Sequence, residues 1–317
     1  MALTLIIISG CSNKHDQAES FVKQGLEKTH NGDLDGAMDD FDQAIKLDPK
    51  NADAYYNRGL TRARLDDLDG AISNYNQAIK LNPTNAIVYY YRSIAKYDKG
   101  DLDGAIADDD RAIELAPQHS DFFYNRGYVK AAKGDWNAAI DDYTEAIKLN
   151  PKDARTYGSR GLAKNNIGDL EGAITDDNKA LALNPKYSAV YDNRGIVKHN
   201  MGDVDGAIAD YNQAIELNPK NSFAYENRSH AKDDKGELSE AMADIEQAIL
   251  LNPTNADAYG YRGFLKMQNG DLQGASADYQ QAKELNLNLH ETGKLGGAVI
   301  SYNQAAGYNS QNAGTYM

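Results

Sequence analysis

Along the chain, apolar and small residues return at helical spacing over about fourteen residues, give way to a short polar phrase, and return over a second run of similar length. The segment 86–119 shows the unit of the pattern. Its polar phrase is Gly100-Asp101-Leu102-Asp103-Gly104-Ala105, and its second run carries Leu102, Ile106, Ile113 and Leu115. Glycine ends the first run without the Cβ penalty of a left-handed turn, and Asp101 and Asp103 stand where the positive end of a second helix dipole favours carboxylates. Asn51, Asn85 and Asn255 occupy the N-cap slot of first runs, where a side-chain oxygen accepts an orphan backbone N–H. Pro117, two residues beyond Leu115, cannot continue the second helix. The pattern predicts two helices separated by a turn in every such segment.

The segment repeats with a fixed step. Pro49, Pro83, Pro117, Pro151, Pro185, Pro219 and Pro253 follow one another at intervals of 34 residues. Two alanine columns, Ala37 to Ala275 and Ala44 to Ala282, keep that step through eight units: 18–51, 52–85, 86–119, 120–153, 154–187, 188–221, 222–255 and 256–289. Gly59, Gly127, Gly161, Gly195 and Gly263, with the alanines, let the paired helices approach closely. An aromatic column running from Phe21 through Tyr55, Tyr89 and Phe123 to Tyr259 fills the space beside them.

A length of 317 residues would ordinarily imply two globular domains, but the repeat and the scarcity of phenylalanine (6) beside tyrosine (21) predict a thin, elongated core instead. A formal charge of −14 opposes phosphate backbones and anionic membrane surfaces, so no nucleic-acid partner is expected. A basic partner is permitted, and solubility alone also accounts for such a charge.

An aromatic, a glycine, two alanines and a proline over 34 residues resemble the tetratricopeptide repeat family, over residues 18–289. The resemblance implies an all-α fold: antiparallel helical hairpins stacked into a right-handed α-solenoid superhelix, whose first helices line a concave groove that holds peptides or protein segments. Where the family usually has a large apolar residue before the glycine, this chain has Arg58, Arg92, Arg126, Arg160, Arg194, Arg228 and Arg262, followed four residues later by Arg62, Lys96, Lys130, Lys164, Lys198, Lys232 and Lys266. Second helices supply Asp40, Asp108, Asp142, Asp176, Asp210, Asp244 and Asp278. Columns of one period meet as ladders, read as arginine paired with aspartate between packed hairpins; anion binding by the basic column is the alternative. The aromatic of the second helix stands as Tyr75, Tyr143, Tyr211 and Tyr279 in even units, but as Phe41, Asp109, Asp177 and Ile245 in odd ones.

The ends depart from the repeat. Residues 1–10 form a short apolar run, and Ile8-Ser9-Gly10-Cys11 resembles the bacterial lipobox, in which the cysteine is lipidated and becomes the mature N-terminus. The resemblance makes 1–10 a lipoprotein-type signal segment and 11–17 a short tether, reaching at most ~20 Å from Cys11 to the first unit when extended. It also implies attachment to the bacterial envelope through lipid alone, since the run is too short to span a bilayer, with Ser12 fitting outer-membrane sorting. No basic residue precedes the run, which suits a start further upstream, and an ordinary free or buried cysteine is the alternative. At the other end, 290–317 reads as a degenerate half-repeat, with Ala298, Tyr302 and Ala305 in register, giving a capping helix over 294–306 and a disordered tail.

Helical geometry leaves each first helix one face free of packing. In units two to four it presents Tyr56, Asn57, Leu60, Tyr90, Tyr91, Ile94, Tyr97, Tyr124, Asn125 and Tyr128. Tyrosines give rigid contact area and amides bond an extended backbone, so this face is the candidate peptide-binding groove. Asn193 and Asn227 continue it, and in some relatives by resemblance that slot forms an asparagine ladder along a bound peptide. Further on the face turns polar, with Asp192, His199, Glu226, His230, Asp233 and Asp234. His230 and Asp233, three apart, are read as solvated rather than metal-binding, and no metal or cofactor is expected. The repeats hold no phosphate loop, no HExxH and no cysteine nucleophile, so catalysis is not expected. Two functional readings follow: an envelope-tethered interaction scaffold, or a soluble cytoplasmic adaptor without lipid.

Overall fold

The computed structural model describes the backbone of residues 2–291 and the side chains of residues 14–286. The described chain is all-helical, without strands, and contains sixteen helices in consecutive hairpins. It divides into two compact units, 1–151 and 152–317. In the first, the hairpins are α1 (Ala2–His30) with α2 (Leu34–Leu47), α3 (Ala52–Arg64) with α4 (Leu68–Leu81), α5 (Ala86–Asp98) with α6 (Leu102–Leu115), and α7 (Ser120–Ala132) with α8 (Trp136–Leu149). In the second they are α9 (Ala154–Asn166) with α10 (Leu170–Leu183), α11 (Ser188–Asn200) with α12 (Val204–Leu217), α13 (Ser222–Asp234) with α14 (Leu238–Leu251), and α15 (Ala256–Gln268) with α16 (Leu272–Glu291).

Local chemistry sets the boundaries. Asn51 Oδ1 accepts the N–H of Ala54 at 2.9 Å, and Asp101 Oδ1 accepts that of Gly104 at 3.0 Å, so α3 and α6 begin on a side-chain cap, whereas α7, α8, α11 and α14 begin without one. Gly100, at φ 83°, closes α5: its own N–H reaches the carbonyl of Tyr97 and the N–H of Asp101 that of Lys96, at 2.8 and 2.9 Å. Asp66 stands in the same slot at φ 63°, the one non-glycine residue with positive φ among the described residues. A left-handed L-residue costs roughly 1–2 kcal/mol, and glycine returns up to ~1 kcal/mol as unfolded-state entropy. Asp66→Gly is therefore expected to stabilise the chain by about 0.5–1 kcal/mol in urea unfolding, and a loss of stability would contradict this assignment.

The core is a line of small and aromatic contacts. The first alanine column is buried from Ala37 to Ala275, and the second from Ala44 to Ala248, with Ala282 half-buried. Tyr75 and Tyr211 pack against Gly59 and Gly195, where an added Cβ would fall 2.6 and 2.5 Å from their rings. That close approach is what the glycine column provides. In the odd hairpins Phe41 and Ile245 fill the same slot, whereas Asp109 and Asp177 carry carboxylates into it, both at 0% exposure.

The charged columns meet, though not where the sequence reading placed them. Arg92 Nε donates to Asp108 Oδ2 at 2.8 Å, Lys96 Nζ lies 2.7 Å from the same carboxylate, and the set recurs at Arg126/Lys130/Asp142, Arg160/Lys164/Asp176, Arg194/Lys198/Asp210, Arg228/Lys232/Asp244 and Arg262/Lys266/Asp278. These pairs tie the two helices of one hairpin together, rather than one hairpin to the next. The link between hairpins is the remaining guanidinium nitrogen, as in Arg92 Nη1 to Asn76 and Arg126 Nη1 to Asp110, both at 2.6 Å. Each guanidinium also lies over the aromatic three residues before it, Arg92 over Tyr89 at 5.5 Å for example. With its donors so engaged, the basic column is not an anion site.

The end helices run past the repeat. α1 reaches back to Ala2 because His15 stands where proline separates the other units, and α16 continues to Glu291 because Leu287 stands where proline would stop it. Residues 12–17 are thus helical rather than an extended tether, spanning about 9 Å at 1.5 Å per residue. The Cys11 side chain and the capping helix read at 294–306 lie outside the described residues. No described helix is long and apolar enough to cross a membrane.

Candidate interaction surfaces

Within each unit, consecutive first helices adjoin, α1 with α3, α3 with α5 and α5 with α7, and likewise α9 with α11 and α11 with α13. Their free faces therefore form one wall per unit. In the first unit the wall is aromatic. The Tyr56 and Tyr91 rings lie 5.9 Å apart, Tyr90 and Phe122 5.2 Å, Tyr97 and Tyr128 5.2 Å, each pair spanning two hairpins. Tyr124 adjoins Tyr128 at 6.4 Å. Tyr128 is 45% exposed; Tyr56, Leu60, Tyr90, Tyr91, Ile94, Tyr97 and Tyr124 are half-buried. Burial first, then contact with Tyr128, pushes the Tyr97 phenol above its ordinary range, and burial does the same at Tyr56, beside Tyr91. Tyr56 and Tyr97 therefore stay neutral hydrogen-bonding groups at any physiological pH. Between α1 and α3 a cleft of about 190 Å³ opens beside Leu26, Asn57 and Leu60, small for a drug-sized ligand, so the extended wall is the larger feature.

The asparagines of the wall are turned to internal use. Asn125 Nδ2 donates to Asp109 at 2.9 and 3.0 Å and to Ser93 Oγ at 3.0 Å, while Ser93 Oγ donates to Asp109 at 2.8 Å. Burial raises the Asp109 carboxyl to about 7, with the Asn125 and Ser93 bonds pulling against it. Asn57 Nδ2 bonds the carbonyl of Asp53 in its own helix, and Asn227 Nδ2 donates to Asp192 at 3.1 Å. Asn193 is half-buried on α11. The amide nitrogens of Asn57, Asn125 and Asn227 thus support the wall, and the tyrosines are what it presents. Ser93 escaped the sequence reading although it breaks the glycine column sixteen residues before Asp109, the same spacing that sets Gly59 against Tyr75.

In the second unit the same slots hold acids. Asp192 takes the wall position of Tyr90, and Glu226 that of Tyr124. Asp192 accepts from Asn227 and from Asn221, and Glu226 from Asn255 at 2.8 Å. Burial pushes Asp192 up and carries Glu226 to about 7. Asp233 accepts the Tyr261 hydroxyl at 2.9 Å, and His199 Nε2 lies 2.7 Å from Asp234 across α11 and α13. The His230 and Tyr261 rings lie tilted against each other, 3.6 Å between centroids, and burial lowers the His230 pKa to about 4, so it is neutral. Among the described residues no three His, Cys, Asp or Glu side chains are grouped to hold a metal ion.

Comparison with known proteins agrees with this architecture. Family models described as tetratricopeptide repeat match residues 52–85, 120–153, 190–221 and 224–255, and one described as TPR repeat matches 25–66, together about half of the chain. No curated protein matches. Among solved structures, the MamA protein is 29% identical over 54% of this chain and 93% of its own, with a TM-score of 0.50. A tetratricopeptide repeat protein from Parabacteroides merdae is 17% identical over 84% of this chain and 99% of its own, with a TM-score of 0.63. YrrB, described as a TPR protein with an unusual peptide-binding site, is 22% identical over 61% of this chain and 97% of its own, with a TM-score of 0.51. The last two likenesses bear on the fold alone.

Proposed function

Because the chain belongs to the tetratricopeptide repeat family, a scaffold suited to protein–protein interaction, we propose that it is a non-enzymatic binding protein whose tyrosine wall on α3, α5 and α7 takes an extended segment of a partner protein. The observation that carries this reading is the Tyr97–Tyr128 pair, two rings 5.2 Å apart with Tyr128 45% exposed, on a wall that holds Leu60 and Ile94 as well. Rigid aromatic area with neutral hydroxyls suits a backbone lying across it. A photoreactive side chain placed at Tyr128 is expected to cross-link a partner segment, and Tyr97→Ala with Tyr128→Ala to weaken its capture about tenfold. Unchanged capture by that double variant would remove the wall from the mechanism. The variant leaves Asn125 in place, so the Asp109 network is not disturbed.

The same reading includes attachment to the bacterial envelope by lipid on Cys11, and what supports it is the resemblance of Ile8-Ser9-Gly10-Cys11 to the lipobox. Cells fed radioactive palmitate are expected to label the wild-type chain and not Cys11→Ala. Equal absence of label in both would leave a soluble adaptor instead.

A further inference from the structure

We infer that the first-helix wall of the second unit docks a cationic protein segment, whose lysine or arginine side chains meet Asp192, Glu226 and the Asp233–Asp234 pair, with Asp177 beneath the wall receiving one of them.

Arg160, Arg194, Arg228 and Arg262, with Lys164, Lys198, Lys232 and Lys266, are engaged by Asp176, Asp210, Asp244 and Asp278 between the helices of each hairpin. The wall carboxylates have no lysine or arginine partner: amides meet Asp192 and Glu226, a phenol meets Asp233, and the His199 imidazole meets Asp234. The contrast shows in their acidity. Burial pushes Asp278 upward, yet bonds from Arg262 and Lys266 bring it below its ordinary value, whereas burial of Asp192 and Glu226 goes unopposed by any cation. A carboxyl holding only neutral donors keeps its proton to a higher pH, and an ammonium or a guanidinium brought against it releases that proton to solvent and answers both the lone pairs and the charge.

Asp177 is an independent sign of the same need. It is at 0% exposure, and neither carboxylate oxygen has a hydrogen-bond partner. Its side chain occupies the slot from which Tyr75 and Tyr143 reach the wall residues Tyr56 and Tyr124, at 6.4 and 5.8 Å between rings. In the third hairpin that slot holds Asp109, met by Ser93 and by Asn125 of the wall. In the fifth, Gly161 replaces the serine, facing Asp177 Oδ1 with no side chain, and Gly158 stands at the wall position above. Arg194, whose charge acts on Asp177, is held by Asp210. Asn193 stands on α11 in the slot of Asn125, yet neither it nor any other side chain bonds the carboxylate, which is left between the first helices α9 and α11 without a hydrogen-bond partner. This inference stands apart from the tyrosine wall, since no residue is shared.

Fluorescein-labelled decalysine, titrated against the full chain at low salt and read by anisotropy, tests it. Asp192→Asn with Glu226→Gln is expected to weaken binding at least tenfold, and Asp177→Asn at least threefold. Removing the same charge from second helices, by Glu171→Gln with Glu240→Gln, is expected to change it less than twofold, and Tyr97→Ala with Tyr128→Ala not at all. Equal losses from the wall and second-helix pairs would reduce the attraction to net charge and overturn the proposal. Should the wall pair fail to fold, carbodiimide coupling of decalysine to the wild-type chain decides: adducts concentrated on Asp192, Glu226, Asp233 and Asp234 support it, and adducts spread over the turns overturn it.

Discussion

Replacing Asp177 by asparagine is expected to raise the stability of the chain at neutral pH by about 3 kcal/mol and to remove much of its pH dependence. The carboxyl has an ordinary value of 3.8, and burial, joined by the charges of Asp176 and Asp210 and only partly offset by Arg194, carries it to about 8 in the fold. Between those values the folded chain holds a proton that the unfolded chain releases, so unfolding becomes easier as pH rises through that window and levels off above it. At ~1.4 kcal/mol per unit the linkage is of the order of 4–5 kcal/mol, and asparagine recovers most of it while leaving its own amide in an apolar slot. Urea unfolding followed by circular dichroism at about pH 5 and pH 8 measures both quantities. Asp109, raised to about 7, contributes a parallel slope in both proteins, so the difference between them isolates Asp177. Equal slopes would mean that Asp177 is solvated in the native chain.

How legible this protein is in its sequence depends on whether a property repeats. The hairpins follow from period, proline and caps, because each depends on local chemistry that recurs every 34 residues. The wall was legible too, since helical geometry alone separates Tyr90 and Tyr128 from the residues facing Ala112. What escaped was who bonds whom. Arg92 and Asp108 lie equally far on either side of Gly100, and two helices folded back about that turn must bring them to one height. The symmetry about the turn was there to be read, and it assigns the ladders within hairpins rather than between them. Asn125 shows the opposite case. Its spacing places it on the wall, but only the non-repeating pair Ser93 and Asp109 draws its amide inward.

Loss of Arg126 is expected to be as damaging as loss of any single polar side chain in the first unit. Its Nε donates to Asp142 at 2.9 Å and its Nη1 to Asp110 at 2.6 Å, while its guanidinium lies over Phe123 at 5.7 Å. The Asp142 side chain is 5% exposed and that of Arg126 19%, so the pair is screened little by solvent. Arg126→Met leaves Asp142 with Lys130 alone, 2.7 Å away, and strands the second helix's charge against an apolar neighbour. A buried partner removed in this way costs about 3–5 kcal/mol, and the surviving lysine brings the expectation to about 3 kcal/mol. The pair itself is worth much less than its halves. Desolvation nearly cancels attraction for such ions, so Arg126→Met with Lys130→Met and Asp142→Leu, which leaves no member of the set unpaired, should lie within about 1 kcal/mol of wild type in urea unfolding. A triple variant as unstable as the single one would show that the ladder contributes net stability. In that case the repeated arginine column is a device for strength; otherwise its work is to fix the register of the two helices in each hairpin, which is what holds every wall residue at its height.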